Sequence, residues 1–172
     1  MKNKRGLSAV IGALILITLT IAAVSIIWVV VKSMIEDNMQ QTESCSVKNF
    51  GKVQINNEFT CYNYTSEEFQ FSIGVGDVEV DELLISISTE EETRSFRINK
   101  DGSSYPELKT SKGEYGDVIR PPMEDSGITY VADMNQIGIG NPESIKIAPI
   151  IGGKQCEVSD SLYEIDNCLA LA

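Results

Sequence analysis

The hydrophobic pattern divides the chain into two unlike parts. From Leu7 to Val31 almost every position is apolar, and no charged residue stands between Arg5 and Lys32. That run of about 25 residues exceeds the roughly 20 that a helix needs to cross a hydrocarbon core. No Pro interrupts it, Gly12 is its one Gly, and Ser8, Thr18, Thr20 and Ser25 can hydrogen-bond back to the helix backbone. Past Val31 the pattern becomes amphipathic, with Met34, Ile35 and Met39 apolar among Glu36, Asp37, Asn38, Gln40 and Gln41. One helix is therefore predicted from Leu7 to about Gln41. Its apolar part must be covered by lipid or protein, and its amphipathic end reads as a stalk.

From Ser44 the period changes to two, with turn residues between short runs. Strands are predicted at Lys52–Ile55, Thr60–Tyr64, Phe69–Val75, Val78–Ser88, Thr93–Ile98, Ile128–Val131 and Ser144–Ile150. Asn56-Asn57, Gly76-Asp77, Glu90–Glu92, Asp101–Ser104 and Pro121-Pro122 separate them. No second helix and no internal repeat stands out. The stretch Gly102–Ser126 holds three of the five Pro and is expected to be a long loop or irregular edge. The fold class predicted is α+β: a long N-terminal hydrophobic helix followed by an antiparallel β-sandwich of the Ig-like kind.

Charge sharpens the division. Lys2, Lys4, Arg5 and Lys32 flank the apolar run, and no acid precedes Glu36. Removing those four bases from the net charge of −11 leaves roughly −15 on the rest of the chain. So acidic a domain repels phosphate backbones and anionic lipid, so nucleic acid is excluded as a partner. The basic end before the apolar run predicts a cytoplasmic N-terminus with the rest outside. Cys45, Cys61, Cys156 and Cys168 all fall in that outer part. Without His or a CxxC pair, disulfides are a better expectation than zinc. Three connectivities are open, and the local one, Cys45–Cys61 with Cys156–Cys168, is the simplest. Asn63, in the sequon Asn63-Tyr64-Thr65, is a candidate glycosylation site that agrees with an outer location.

Candidate chemistry is sparse. Asp77, Glu79 and Asp81 alternate, so in a strand their carboxylates would share one face, and Glu90-Glu91-Glu92 and Glu124-Asp125 are further clusters. A Ca²⁺ site is one reading; a solvated face is the expected one, because the ligand order of an EF-hand loop is missing. Paired carboxylates alone do not make a glycosidase. Gly74-Val75-Gly76 and Gly138-Ile139-Gly140 do not complete GxGxxG, and Ile151-Gly152-Gly153-Lys154 lacks the Walker A pattern, so all three are expected to be turns. No His, GxSxG or Ser-x-x-Lys is present. Neither an enzyme nor a cofactor or metal site is predicted.

The N-terminal junction admits three readings. A secretory signal could be cut after Ala23-Val24-Ser25, but Ile26–Val31 continues the apolar run. A plain anchor fits the hydropathy and leaves Lys4-Arg5-Gly6 unexplained. The third reading rests on Lys4-Arg5-Gly6 followed at once by Leu7-Ser8-Ala9-Val10-Ile11-Gly12. This junction resembles the class III signal of archaeal type IV pilins and archaellins. The later β-rich part resembles their head domains only loosely, through Gly74-Val75-Gly76-Asp77 and Ile147-Ala148-Pro149-Ile150. Bacterial pilins carry Glu at the fifth mature position; here it is Ile11, as is common in archaeal members.

The resemblance implies cleavage between Gly6 and Leu7 by a prepilin peptidase on the cytoplasmic face. Lys4, Arg5, Gly6 and Leu7 would form the processing site. Residues 1–6 would be a basic leader, 7–43 a transmembrane, then filament-core, helix with its stalk, and 44–172 an extracellular head of Ig-like or pilin-like form. The implied partners are other copies or other pilins, the prepilin peptidase, the assembly machinery, and the membrane before assembly. The alternative is a monomeric membrane-anchored extracellular binding or adhesion domain; an anchored extracellular enzyme is a third reading.

Overall fold

The computed structural model describes residues 5–45 and 51–168, with the backbone alone at residues 5–10 and 36–44. The chain forms two compact units that divide between Glu43 and Ser44. The first is a single helix, α1 (Arg5–Ser44), of 40 residues. At about 1.5 Å per residue it is about 60 Å long. It starts two residues before Leu7 and ends three after Gln41, the scatter expected where end turns lack full hydrogen bonding.

The second unit is a largely antiparallel β domain. Its long strands are β1 (Val53–Asn63), β2 (Glu68–Val75), β3 (Glu82–Ser88) and β4 (Thr93–Asn99). Short strands follow: β5 (Ser103–Ser104), β6 (Leu108–Thr110) and β7 (Val118–Ile119). Then come β8 (Ser126–Asp133), a one-turn helix α2 (Met134–Ile137), β9 (Ser144–Ile151), β10 (Lys154–Gln155), β11 (Asp160–Tyr163) and β12 (Asp166–Asn167). One sheet runs β12-β1-β2-β8-β6 and the other β10-β9-β3-β4, with β11 also pairing β9 and β5 pairing β7 separately. The β1–β12 pair is parallel.

Alternation builds the core. In β3, Leu83, Ile85 and Ile87 are fully buried while Glu82, Leu84, Ser86 and Ser88 face the other way. In β2, Phe69, Phe71, Ile73 and Val75 do the same for the other sheet, and the two inner faces share one apolar cluster. Tyr130 stacks on Phe71 with ring centroids 5.5 Å apart, and its hydroxyl donates to the Arg120 carbonyl at 2.5 Å. A buried Tyr thus finds its polar partner, and the Arg120 segment is held against the core.

Three expectations are corrected by local physics. Lys52–Ile55 and Thr60–Tyr64 are one strand, because Asn56-Asn57 is not a turn but the start of a bulge between Asn56 and Cys61. Buried Thr60 stabilises it by donating to the Asn56 carbonyl at 2.8 Å and accepting from the Ser72 amide at 3.3 Å. The predicted Val78–Ser88 strand starts only at Glu82; Val78 and Val80 are buried, yet residues 78–81 make no ladder. Gly102–Ser126, expected as a long loop or irregular edge, is the latter: it holds the short strands β5, β6 and β7, with β6 at the edge of its sheet and Leu108 and Ile119 buried. The second helix, unforeseen, is capped by Asp133, whose carboxylate accepts from the Gln136 amide at 3.0 Å, and by Gly138 at φ 76°. Gly138-Ile139-Gly140 therefore ends a helix, whereas Gly152-Gly153 does form the turn between β9 and β10.

The disulfides are long-range. Cys45 bonds Cys156 and Cys61 bonds Cys168, across 111 and 107 residues, in place of the local pairing expected. Strand order decides this. Cys61 lies in β1 opposite Asp166, and the parallel pairing brings the chain end back beside it, leaving 4.9 Å between the Cys61 and Cys168 Cα atoms. The corresponding distance for Cys45 and Cys156 is 5.3 Å. Both lie within the span a disulfide bridges.

Candidate functional site

The residues singled out at the N-terminus divide as follows. Lys4 lies outside the described residues, while Arg5, Gly6 and Leu7 open α1. Gly6 has no Cβ and lets another backbone approach closely.

Behind this junction lies the dominant surface of the helix. Ile11–Ile35 is a 25-residue stretch of mean hydropathy 2.8. Every side chain in it is exposed, among them Leu16, Ile26 and Trp28 at 66%, 67% and 68%. Its hydroxyls present little polarity, because Thr18 donates to the Ile15 carbonyl at 3.0 Å, Thr20 to Ile17 at 2.8 Å and Ser25 to Ile21 at 2.8 Å. The result is an apolar cylinder from Ile11 to Val31, roughly 31 Å long at the helical rise, which matches the hydrocarbon thickness of about 30 Å. Such a surface requires an apolar cover. The two disulfides point to an oxidising compartment for the β domain. The helix is long and apolar enough for a membrane anchor or a signal.

The carboxylates of the β domain are dispersed. Asp77 pairs with Lys52, and Glu79 is exposed. Asp81 accepts from Lys100 at 2.6 Å and from the Gly153 amide at 3.0 Å. The Lys100 hydrogen bond, then the Gly153 amide, hold its carboxyl below the usual range. The segment is a bend rather than a strand, in which Asp77 and Asp81 pair with different cations while Asp77 and Glu79 face solvent, as expected of a solvated face. Glu90–Glu92 form the β3–β4 turn, closed by Thr89 and Glu92 backbone bonding at 2.9 Å. Among the described residues no three His, Cys, Asp or Glu side chains are grouped to hold a metal.

A denser cluster centres on Glu68. Its carboxylate accepts from Tyr115 at 2.7 Å, Lys109 at 3.1 Å and Ser66 at 3.3 Å, while the Lys109 ammonium sits 4.1 Å from the Tyr115 ring centre. The Tyr115 bond is the main force holding Glu68 below the usual range, and burial, then that carboxylate, push Tyr115 up. Residues 41 and 47 positions apart meet here through the sheet, so no local signal announced the cluster. Asn63 ends β1 at a half-buried position, and its side-chain oxygen accepts from the Thr65 amide at 2.9 Å in a turn whose tip is exposed.

Shallow hollows among the described residues include two on this domain. One of about 420 Å³ is lined by Leu84, Lys146, Ala148, Cys156 and Val158, and one of about 390 Å³ by Thr89, Glu90, Glu91, Ile139, Asn141 and Glu143. Ser86, in the first, shares its hydroxyl hydrogen bond with Ser95 at 2.8 Å rather than with Lys146. Comparison of the chain with known protein families, with characterised proteins and with solved structures found no match.

Proposed function

We propose that this chain is a pilin-like structural subunit of an archaeal extracellular type IV pilus-like filament, cut after Gly6 and assembled through α1. The observation that carries the reading is the uncovered apolar surface from Ile11 to Ile35 set directly behind Lys4-Arg5-Gly6. In lipid, a Leu/Ile/Val helix gains little from meeting its copies. Withdrawn from lipid, the same surface is covered by a bundle of like helices, at roughly 25 cal/mol per Å² buried. Head-to-tail contacts that do not close into a ring then extend as a helical filament. The acidic β domain forms the exterior, its charge opposing lateral clumping.

A second reading, a monomeric anchored binding domain, is favoured by the 25-residue length, which suits one membrane crossing without any assembly. Fractionation separates the two. Mechanical shearing of cells of the native host should release the protein as filaments that sediment at high speed, and Gly6→Val should return it to the membrane fraction. Wild-type protein that stays wholly in the membrane, monomeric after solubilisation, refutes the filament reading.

A further inference from the structure

The segment from Cys156 to Cys168 closes one side of the β domain without placing a single fully buried side chain. Leu162 and Ile165 pack, half-buried, against the core, and the hydrogen bonds that tie the strap to β1 are few. Ser159 donates to the Val53 carbonyl at 2.6 Å, the Ile55 amide donates to the Asp160 carboxylate at 2.8 Å, and Asp166 and Asn167 pair with Cys61 and Tyr62. On its other side β11 pairs with β9 from Asp160 to Tyr163. A disulfide fastens each end of this strap, Cys156 to Cys45 and Cys168 to Cys61. Beneath it, β1 is an 11-residue strand, and among the described residues only the two-residue β12 lies outside it in the strand order. A strand of that length, once uncovered, is a template for another chain.

We propose that the outer edge of β1 is a strand-pairing surface for a second copy of this chain, held shut by the strap while its two disulfides are closed. The occupant is the same strap from the other copy. It brings the Ser159 hydroxyl, the Asp160 carboxylate and the β12 register that this edge already fits, so an exchange needs no new complementarity. Both fastenings are accessible: Cys45, Cys156 and Cys168 are half-buried and Cys61 is 4% exposed, so an attacking thiolate reaches at least one sulfur of each bridge. Each opening takes two electrons and two protons from an added dithiol, which closes to its cyclic disulfide, and leaves two protein thiols that an oxidant rejoins.

The test uses full-length protein in detergent micelles, half of it labelled with nitrogen-15. The two batches are mixed, reduced with dithiothreitol without denaturant, freed of the dithiol, reoxidised with added oxidised glutathione, which takes up the two electrons and two protons of each bridge, and mapped as non-reduced peptides by mass spectrometry. Cys61–Cys168 peptides with one labelled and one unlabelled half should form, approaching about half of the total at high protein concentration and fading on dilution. In the reduced protein the Ile55 amide should exchange hydrogen at least about tenfold faster, with Phe71 and Ile85 still protected. A Cys45→Ser/Cys156→Ser variant, which retains only the inner fastening, should give the same mixed Cys61–Cys168 peptides after reduction. Three results each overturn the proposal: same-label pairs alone at every concentration, mixed pairs spread over all cysteine combinations, or exchange that accelerates uniformly through β2 and β3.

Discussion

Glu68 and Asp81 show how single carboxylates are tied into this domain. Both are held below their ordinary range, so each contributes stability present above its unfolded value of about 4 and lost as pH falls through the depressed folded value. Tyr115 is pushed up, so its contribution is present below about pH 10 and lost as pH rises through the folded value. Asp81→Asn should lower the thermal midpoint at pH 7, and the gap to wild type should close as pH falls through the depressed folded value and Asp81 becomes neutral. A gap that stays constant across that range contradicts the assignment to the Lys100 and Gly153 contacts. Tyr115→Phe removes a hydrogen bond to a charged acceptor and should cost about 1–2 kcal/mol in denaturant unfolding, with the Glu68 pKa rising towards its ordinary value. Tyr130→Phe should cost about 1–3 kcal/mol, because it leaves the Arg120 carbonyl without its donor. These ties were not readable from sequence. Asp77, Glu79 and Asp81 read as one acidic face, but the alternation that buries Val78 and Val80 persists through a bend that makes no ladder.

Elements were legible in proportion to their length. Composition alone identifies α1, since an uncharged run without Pro has few alternatives to a helix. Strands β2, β3 and β9 alternate or stay apolar over seven or eight residues, enough for the period to show. β5, β7, β10 and β12 are two residues each, and partners rather than pattern hold them. The same limit misled the cysteine pairing, because closure follows strand order and not spacing. Non-reducing peptide mapping should recover Cys45–Cys156 and Cys61–Cys168. Removing the second bridge as Cys61→Ser/Cys168→Ser should cost up to about 5 kcal/mol in the chain-entropy model, for a loop on the order of 100 residues. Within α1, Ala23→Lys places a charge at mid-span and should cost about 2.5–3.5 kcal/mol in membrane insertion, whereas Thr20→Leu should insert as wild type because the Thr20 hydroxyl is already bonded to Ile17. Equal insertion of both variants in a glycosylation-mapping assay would show that the span does not face lipid.

At the scale of the whole molecule, the two units meet opposite demands. α1 exposes an apolar surface that requires a cover, while the β domain buries its own core and carries the acidic charge. Processing links the two states proposed for α1. Lys2, Lys4 and Arg5 suit the cytoplasmic face of a membrane, but drawing them into an apolar helix bundle carries a heavy desolvation cost. In the proposed reading, removing them with the leader would free the helix to leave lipid for its copies. The intact mass of the mature protein from its native host tests this most directly. The account predicts a chain that begins at Leu7, lighter by residues 1–6. Retention of Met1 or Lys2 would contradict it in favour of a plain anchor, and a start at Ile26 would contradict it in favour of a secretory signal.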